Sequence, residues 1–418
     1  MTTRILTGDA RRVLAQLEDR SVGMCLTSPP YYGQRDYGHE DQIGLEATPE
    51  AFVQELVVVF REVWRVLRDD GVLLVNIGDS YAGSWGAQGR SGGNGDGKHS
   101  YNRSVGGKTR AARAGAFDRR IANAPKGLRG PAAGAKPKDL IGIPWMLAFA
   151  LRADGWYLRQ EIVWSKPNTM PESVADRCTK SHESLFLLAK SDTYYFDAFA
   201  IREPASEAPE SVARRGRAGG KPVGNSAMFG EAHGQSGARA LPAAGTGTRN
   251  ARSVWTIATK PSAVEHFATM APALAERAIR AGSSEHGRCP ACGARWVRVT
   301  RPAVEVAHTS STRSSYAAGG NANRLAKLRQ AARDLGTEYT GDRVHVGWRP
   351  DCVCNFPAPL PPVPDVVLDP FGGAGTTALV ADQLQRDAVL VELNPTYSDA
   401  AATRIRRDSS LLTEVITA

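Results

Sequence analysis

The feature that most restricts the fold is a turn late in the chain, Asp369-Pro370-Phe371-Gly372-Gly373-Ala374-Gly375-Thr376-Thr377, set between two short apolar runs. Val366-Val367-Leu368 precedes it, and Ala388-Val389-Leu390-Val391-Glu392 follows a helical stretch from Thr377 to Gln385. Apolar runs this short, without alternation, read as strands buried on both faces, and a helix between two of them makes a βαβ unit. The small residues of the turn let backbone N–H groups and a helix N-terminus come close to a ligand. Glu392 lies seventeen residues beyond Gly375, at the end of the next strand. A carboxylate there can accept hydrogen bonds from two ribose hydroxyls, so a nucleoside is implied. Ala378 stands where a dinucleotide fingerprint has its third glycine, which argues against a pyrophosphate-containing ligand. The plainer alternative is a Gly-rich βα turn beside a surface glutamate.

The same grammar repeats earlier in the chain. Val22-Gly23-Met24-Cys25-Leu26 predicts a buried strand that delivers Thr27-Ser28-Pro29-Pro30-Tyr31 to its carboxyl edge. Phe52, Leu56, Val59, Phe60, Val63 and Val66 recur at helical spacing over 49–67, Asp69-Asp70-Gly71 closes that helix, and 71–77 is the next strand. A helix beginning at Ile143-Pro144, a strand from Trp156 to Trp164, and a hairpin of 184–189 with Tyr194-Tyr195-Phe196 follow. A strand at 253–257, a helix from about Phe267 to Ala281 and a closing helix through Ile405 complete the regular structure. Repeated βαβ units predict a doubly wound, Rossmann-like α/β sheet.

Between these elements lie stretches with no periodicity. Residues 83–138 carry twelve Lys and Arg against Asp96 and Asp118, more excess charge than the +9 of the whole chain. The basic character therefore sits in one Gly-rich insertion, which fits a polyanion partner, a solubilising loop being the alternative. Residues 204–252 form a second Gly/Pro/Arg-rich insertion and 289–354 a third irregular stretch. No run of about 18 apolar residues predicts a membrane span, and the first residues lack a signal peptide, so a cytoplasmic protein is expected. In that compartment the six cysteines are not expected to form disulfides. Cys289-Pro290-Ala291-Cys292-Gly293 reads as a metal knuckle, and Cys352-Val353-Cys354 offers a second pair, together a four-thiolate structural Zn²⁺ site. His286, His308 and His345 are expected to be bystanders.

Ser28-Pro29-Pro30-Tyr31 has a chemistry of its own. Two prolines fix φ and remove two backbone donors, leaving carbonyls to accept hydrogen bonds. An exocyclic base amine is a poor nucleophile because its lone pair is delocalised into the ring. A hydroxyl and a carbonyl accepting from its two N–H groups favour a pyramidal nitrogen, and Tyr31 can stack on a base taken out of a duplex. Alone, the tetrapeptide is equally a turn or a proline-rich ligand.

Together the two motifs resemble those of the amino-methyltransferase family of DNA-modification enzymes, in particular its beta group, in which the catalytic motif precedes the cofactor motif. The resemblance covers roughly 4–80, 138–202, 253–282 and 365–407. It implies a doubly wound Rossmann-like fold with permuted motif order, S-adenosyl-L-methionine as methyl donor and double-stranded DNA as substrate. It further implies that Ser28, Pro29, Pro30 and Tyr31 carry the chemistry and that Asp9 lies near the cofactor adenine. Asp369, Phe371, Gly373 and Gly375 are expected on the methionine and ribose side, Glu392 at the ribose, and His266 and Phe267 over the methionine moiety. Met270-Ala271-Pro272 departs from the Phe-Pro of many relatives. His182-Glu183 is given no part in the chemistry.

In the family resembled, Ser-Pro-Pro-Tyr more often accompanies N4-cytosine and Asp-Pro-Pro-Tyr N6-adenine methylation, so the resemblance, with Ser28 first in the tetrapeptide, implies N4 of cytosine, N6 of adenine being the alternative. An RNA methyltransferase or a non-catalytic, zinc-containing DNA-binding protein ranks behind both. The expected organisation is a catalytic half (1–82), the basic insertion (83–138), the continued methyltransferase domain (139–203) and a target-recognition insertion (204–252). A cofactor-closing segment (253–288), a zinc-binding insertion (289–354) and a cofactor-binding half (355–418) follow. A cognate restriction endonuclease is a candidate partner; the sequence does not give the oligomeric state or the DNA site.

Overall fold

A computed structural model describes residues 1–35, 37–82, 135–136, 138–172, 174–204, 248–260, 270–302, 330, 334, 343–354, 356–357, 359–409 and 413–418. Its strands are β1 (Thr2–Thr7), β2 (Val22–Thr27), β3 (Leu67–Ile77), β4 (Tyr157–Ser165), β5 (His182–Ala189), β6 (Glu203–Pro204) and β7 (Thr248–Arg249). Further along come β8 (Val254–Thr256), β9 (Trp296–Pro302), β10 (Arg343–Pro350), β11 (Val366–Asp369), β12 (Asp387–Glu392) and β13 (Glu414–Thr417). The helices are α1 (Ala10–Val13), α2 (Pro49–Val66), α3 (Ile143–Ala153), α4 (Pro272–Gly282), α5 (Thr376–Gln383) and α6 (Pro395–Asp408).

The buried apolar strands β2, β11 and β12 lie at the centre of one nine-stranded sheet in the order β13-β1-β12-β11-β2-β3-β5-β4-β8. From β13 to β3 every pairing is parallel, whereas β5 runs antiparallel to both β3 and β4. The chain leaves β11 for β12 on one side and leaves β2 for β3 on the other. The carboxyl ends of β11 and β2 therefore bracket the switch point at which α/β sheets open a crevice.

Helices cover both faces, as the unbroken apolar strands require. Cys25, Leu73, Val75, Leu368, Val389 and Val391 share a core with Phe52, Leu56, Phe60 and Val63 of α2 and Leu147 and Leu151 of α3. The alternate residues point the other way. A Cβ at Gly282 of α4 would lie 2.8 Å from Met24 Cε and 3.0 Å from Val72 Cγ2, so α4 packs directly on that second face. Thr48 caps α2 by accepting from the Ala51 N–H, Pro49 occupies its first turn, and β3 follows at Leu67 without a loop.

Two expectations need correction. Tyr194-Tyr195-Phe196 does not form the second strand of a hairpin: β5 finds its antiparallel partners in β3 and β4. The Tyr195 N–H donates instead to Asp70 O (2.9 Å), and the Asp197 N–H to Ala281 O (2.8 Å). The stretch 289–354 is not wholly irregular, since β9 and β10 pair as a two-stranded ribbon. The basic insertion lies outside the described residues except for 135, 136 and 138, as do 205–247 of the second insertion and 303–329 of the third.

The chain divides into two compact units, one of Met1–Asp197, Arg252–Trp296 and Pro350–Ala418, the other of Ala198–Ala251 and Val297–Arg349. The second contains the short β6–β7 pair and most of the β9–β10 ribbon, with the Arg298 guanidinium 4.3 Å from the Trp348 ring and 5.3 Å from that of Phe199.

In the first unit, Arg295 joins the amino ends of three strands. It is 1% exposed and pairs with Asp365, 0% exposed, at 3.0 Å and with Asp70 at 3.1 Å; it also donates to the Gly23 carbonyl and lies over the Tyr195 ring. Gly23 has no room for a side chain, as a Cβ there would fall 2.1 Å from Asp365 Oδ1. Removing one member of a buried ion pair leaves the other charge uncompensated, so Arg295→Met should lower unfolding stability by about 3–5 kcal/mol. Denaturant unfolding of the two proteins checks this, and equal midpoints would contradict it.

Candidate active site

The two motifs, separated by more than three hundred residues of sequence, end on neighbouring strands. β2 ends in Thr27 and releases Ser28-Pro29-Pro30-Tyr31, while β11 ends in Asp369 and releases Pro370 to Ala374. Asp369 is the knot between them. Thr27 Oγ1 donates to its Oδ1 at 2.7 Å, Thr377 Oγ1 to its Oδ2 at 2.6 Å, and the Phe371 N–H to Oδ1 at 3.1 Å. One carboxylate thus fastens the end of β2, the Gly-rich turn and the first turn of α5. Its burial raises the pKa above the usual carboxylate range, and the three donors oppose that rise.

Both loops open into one cavity of about 370 Å³. Ser28, Pro29, Pro30 and Tyr31 line it, as do Asp9, Asp369, Phe371, Gly373 and Glu392. Gly375 does not. Its φ is +73°, and a Cβ there would lie 3.1 Å from Ala401 Cβ, so its task is close packing against α6. His266 and Phe267 lie outside the described residues.

On the side of the Gly-rich turn, Glu392 is held from both flanks: Gly373 N–H donates to Oε2 at 2.8 Å and Asn394 N–H to Oε1 at 2.9 Å. Each oxygen keeps a further lone pair for a hydroxyl donor. Burial raises the Glu392 pKa, with the Asn394 and Gly373 amides working against it. Asp9 caps α1 and pairs with Arg11 at 2.8 Å, which in turn reaches Glu55. Tyr37, from the loop that continues Tyr31, lines the same cavity, and its carbonyl accepts from Asn394 Nδ2 at 3.4 Å.

On the tetrapeptide side, Tyr31 Oη donates to Glu183 Oε2 at 2.8 Å, and burial, then the Glu183 charge, push the phenol pKa well above its ordinary value. Gly78 leaves space for the ring, since a Cβ there would sit 2.6 Å from Tyr31 Cε2. Glu183, Lys166, Asn76 and Trp164 all line the cavity, and sequence reasoning assigned none of them to it. The missing signal was strand direction: only an antiparallel β5 brings its first residues, His182 and Glu183, to the carboxyl edge of the parallel strands.

The four paired cysteines also converge. Cys289 and Cys292 precede β9, Cys352 and Cys354 follow β10, and the Asp351 N–H donates to Arg295 O at 3.0 Å between them. All four Sγ atoms lie within 4.8 Å of one another. Gly293, at φ +70°, turns the first knuckle and donates to Cys289 O at 2.8 Å.

The site is thus a parallel switch point with a carboxylate-held Gly-rich turn on one strand and a proline-stiffened acceptor loop on the next, the place where α/β sheets bind ligands. The family profile described as DNA methylase matches residues 22–289 and 361–403, and the chain belongs to this N6/N4 DNA methylase family. It is 36% identical over 406 residues to the Type II methyltransferase M.XycI of Xanthomonas campestris pv. cyanopsidis, covering 97% of this chain and 88% of the relative. It is 34% identical over the same length to the Type II methyltransferase M.Cfr9I of Citrobacter freundii, again covering 97% and 88%. Among solved structures, the cytosine-N4-specific PvuII DNA methyltransferase is a loose likeness, with a TM-score of 0.47 and 14% identity over 96% of this chain and 87% of that one.

The Asp369 knot has a measurable signature. Because its folded pKa is raised above the unfolded value, the stability it contributes is fully present below the unfolded carboxylate pKa and is lost as pH rises through the folded one. Thr377→Val removes a donor that matters most to the ionised form, so the variant should lose about 1–3 kcal/mol at neutral pH. That deficit should shrink as pH falls and Asp369 takes up its proton. Thermal unfolding across a pH series reads it, and a deficit independent of pH would contradict the assignment.

Proposed function

We propose that this DNA methyltransferase transfers a methyl group from S-adenosyl-L-methionine to the exocyclic N4 amine of cytosine in double-stranded DNA. The observation that carries the reading is the meeting of the Ser28-Pro29-Pro30 loop and the Glu392-held turn in one cavity. That cavity falls within the roughly 300–1,000 Å³ of small-ligand sites.

Glu392 is assigned the ribose hydroxyls, Asp9 the adenine end, and Gly373, Phe371 and Asp369 the side that faces the tetrapeptide loop. Gly375 supports that turn from behind, and His266 and Phe267 keep the assignment made from sequence, closing over the methionine moiety. When bound, the cofactor supplies an electrophilic methyl carried on a sulfonium. The protein's part is to orient and polarise. Ser28 Oγ and the Pro29 carbonyl accept from the two amine N–H groups, which draws the nitrogen towards pyramidal geometry and its lone pair towards the methyl carbon, and the proton that the methylated amine sheds passes to water. Pro30 contributes no N–H donor to compete for those acceptors. Tyr31, kept protonated, offers its ring to the base. The basic insertion 83–138 and the 204–252 insertion are assigned to the DNA.

The four thiolates fit a structural Zn²⁺. A tetrahedral site with Zn–S distances of about 2.3 Å sets its sulfurs about 3.8 Å apart, a small contraction from the observed spread. We further assign the protein to the cytoplasm, with a cognate restriction endonuclease as partner; among the described residues no helix is long and apolar enough to cross a membrane.

Incubation with isotopically labelled S-adenosylmethionine and duplex DNA, followed by mass spectrometry of the nucleosides, should yield N4-methylcytosine. N6-methyladenine alone would overturn the cytosine assignment. Ser28→Ala should lower turnover about 100-fold, the scale of losing one positioned polar group, and full turnover would remove the hydroxyl from the chemistry. Purified protein should carry about one Zn per chain, and chelation should lower its melting temperature. Metal-free protein of unchanged stability would contradict the zinc assignment.

A further inference from the structure

One part of the cavity wall is built from residues that the roles above leave unused: Asn76 at the end of β3, Lys166 just past β4 and Glu183 at the start of β5. The registers Asn76↔Leu185 and Trp164↔Glu183 carry them to the sheet edge from which β2 releases the tetrapeptide loop.

Glu183 is the hub. Its Oε2 accepts from Tyr31 Oη at 2.8 Å and from Asn76 Nδ2 at 3.2 Å, and its Oε1 accepts from Lys166 Nζ. The Glu183 and Lys166 side chains are each 17% exposed, so the pair is largely withdrawn from water. Lys166 also lies 4.2 Å from the centre of the Trp164 ring, and Asn76 is held by the Ser184 carbonyl at 3.3 Å.

This arrangement answers a mechanical need of the loop. The prolines fix the backbone before Tyr31 but leave its ring free to turn about χ1. A hydrogen bond to an ionised acceptor is about twice as strong as one between neutral groups, and it fixes the ring at its far end. Lys166 supplies the counter-charge that a largely buried carboxylate calls for.

We propose that Glu183, held by Lys166 and Asn76, is a positioning residue for amine methylation that acts by fixing the ring of Tyr31. The proposal rests on the reading of Tyr31 as part of the base site. It assigns a task to a residue that the sequence pattern left out of the chemistry.

The test is a double-mutant cycle on the intact protein, with S-adenosylmethionine and duplex DNA as substrates. Glu183→Gln should lower kcat by roughly 10- to 100-fold while S-adenosylmethionine affinity, measured by calorimetry, stays within about two-fold, as expected when orientation rather than binding is lost. Tyr31→Phe should fall by a similar factor, and the double variant should lie no more than about three-fold below the slower single one, because the two changes break one interaction. Wild-type kcat in Glu183→Gln, or a double variant slowed by the product of the two factors, would overturn the proposal. Lys166→Gln gives an independent arm: it should slow the wild type and leave Tyr31→Phe unchanged, and an equal slowing of both would overturn the coupling. Tyr31→Phe at wild-type turnover would defeat the positioning role alone, because Phe keeps the ring, whereas Tyr31→Ala at wild-type turnover would defeat the underlying reading together with this one. A slow Tyr31→Phe beside an unimpaired Glu183→Gln would defeat the positioning role alone.

Discussion

The site depends on the buried carboxylate of Asp369, which accepts from Thr27, Thr377 and the Phe371 amide at the carboxyl edge of the sheet. A buried carboxylate is costly unless its oxygens are satisfied, and here the groups that satisfy it come from the three segments that must be aligned. The end of β2, the turn after β11 and the start of α5 cannot shift independently without leaving that carboxylate buried and unpaired. Chemistry at the boundary of two half-sites needs such alignment, because effective molarity falls steeply with small misplacements.

Topology explains why a chain with its motifs in this order still builds one site. β2 and β11 are sheet neighbours, in register at Met24↔Val367 and Cys25↔Leu368, although they come from opposite ends of the sequence. Their connections diverge, so the crevice between their carboxyl ends is left open. The same divergence places Glu392, two strands away from β2, on the far side of the turn it holds. The parallel core is reached from either motif order, since only adjacency in the sheet matters.

Much of this was legible in the sequence. The apolar runs at 22–26, 71–77, 366–368 and 388–391 gave the buried strands, and the spacing of Phe52 to Val66 gave α2. Glu392 and the tetrapeptide loop were legible because Gly and Pro mark backbone geometry directly. What stayed hidden depended on strand direction and long-range pairing. Ser184 to Ala189 reads the same in either orientation, so nothing local revealed that Glu183 begins an antiparallel strand at the site edge. Tyr194 to Phe196 had strand-forming residues, yet the Tyr195 amide bonds Asp70 and its ring is set by Arg295, a partner a hundred residues away. Gly375 shows the converse: a motif glycine whose visible task is packing on α6 rather than lining the cavity.

The Glu392-held turn and the Ser28-Pro29-Pro30 loop line a single cavity, as the proposed transfer between them requires. A crystal structure with the demethylated cofactor product, S-adenosylhomocysteine, tests it most directly. The account predicts ribose hydroxyls on the Glu392 carboxylate and the sulfur directed at the loop from Ser28 to Tyr31. A ligand whose ribose lies away from Glu392, or whose sulfur points away from that loop, would contradict it.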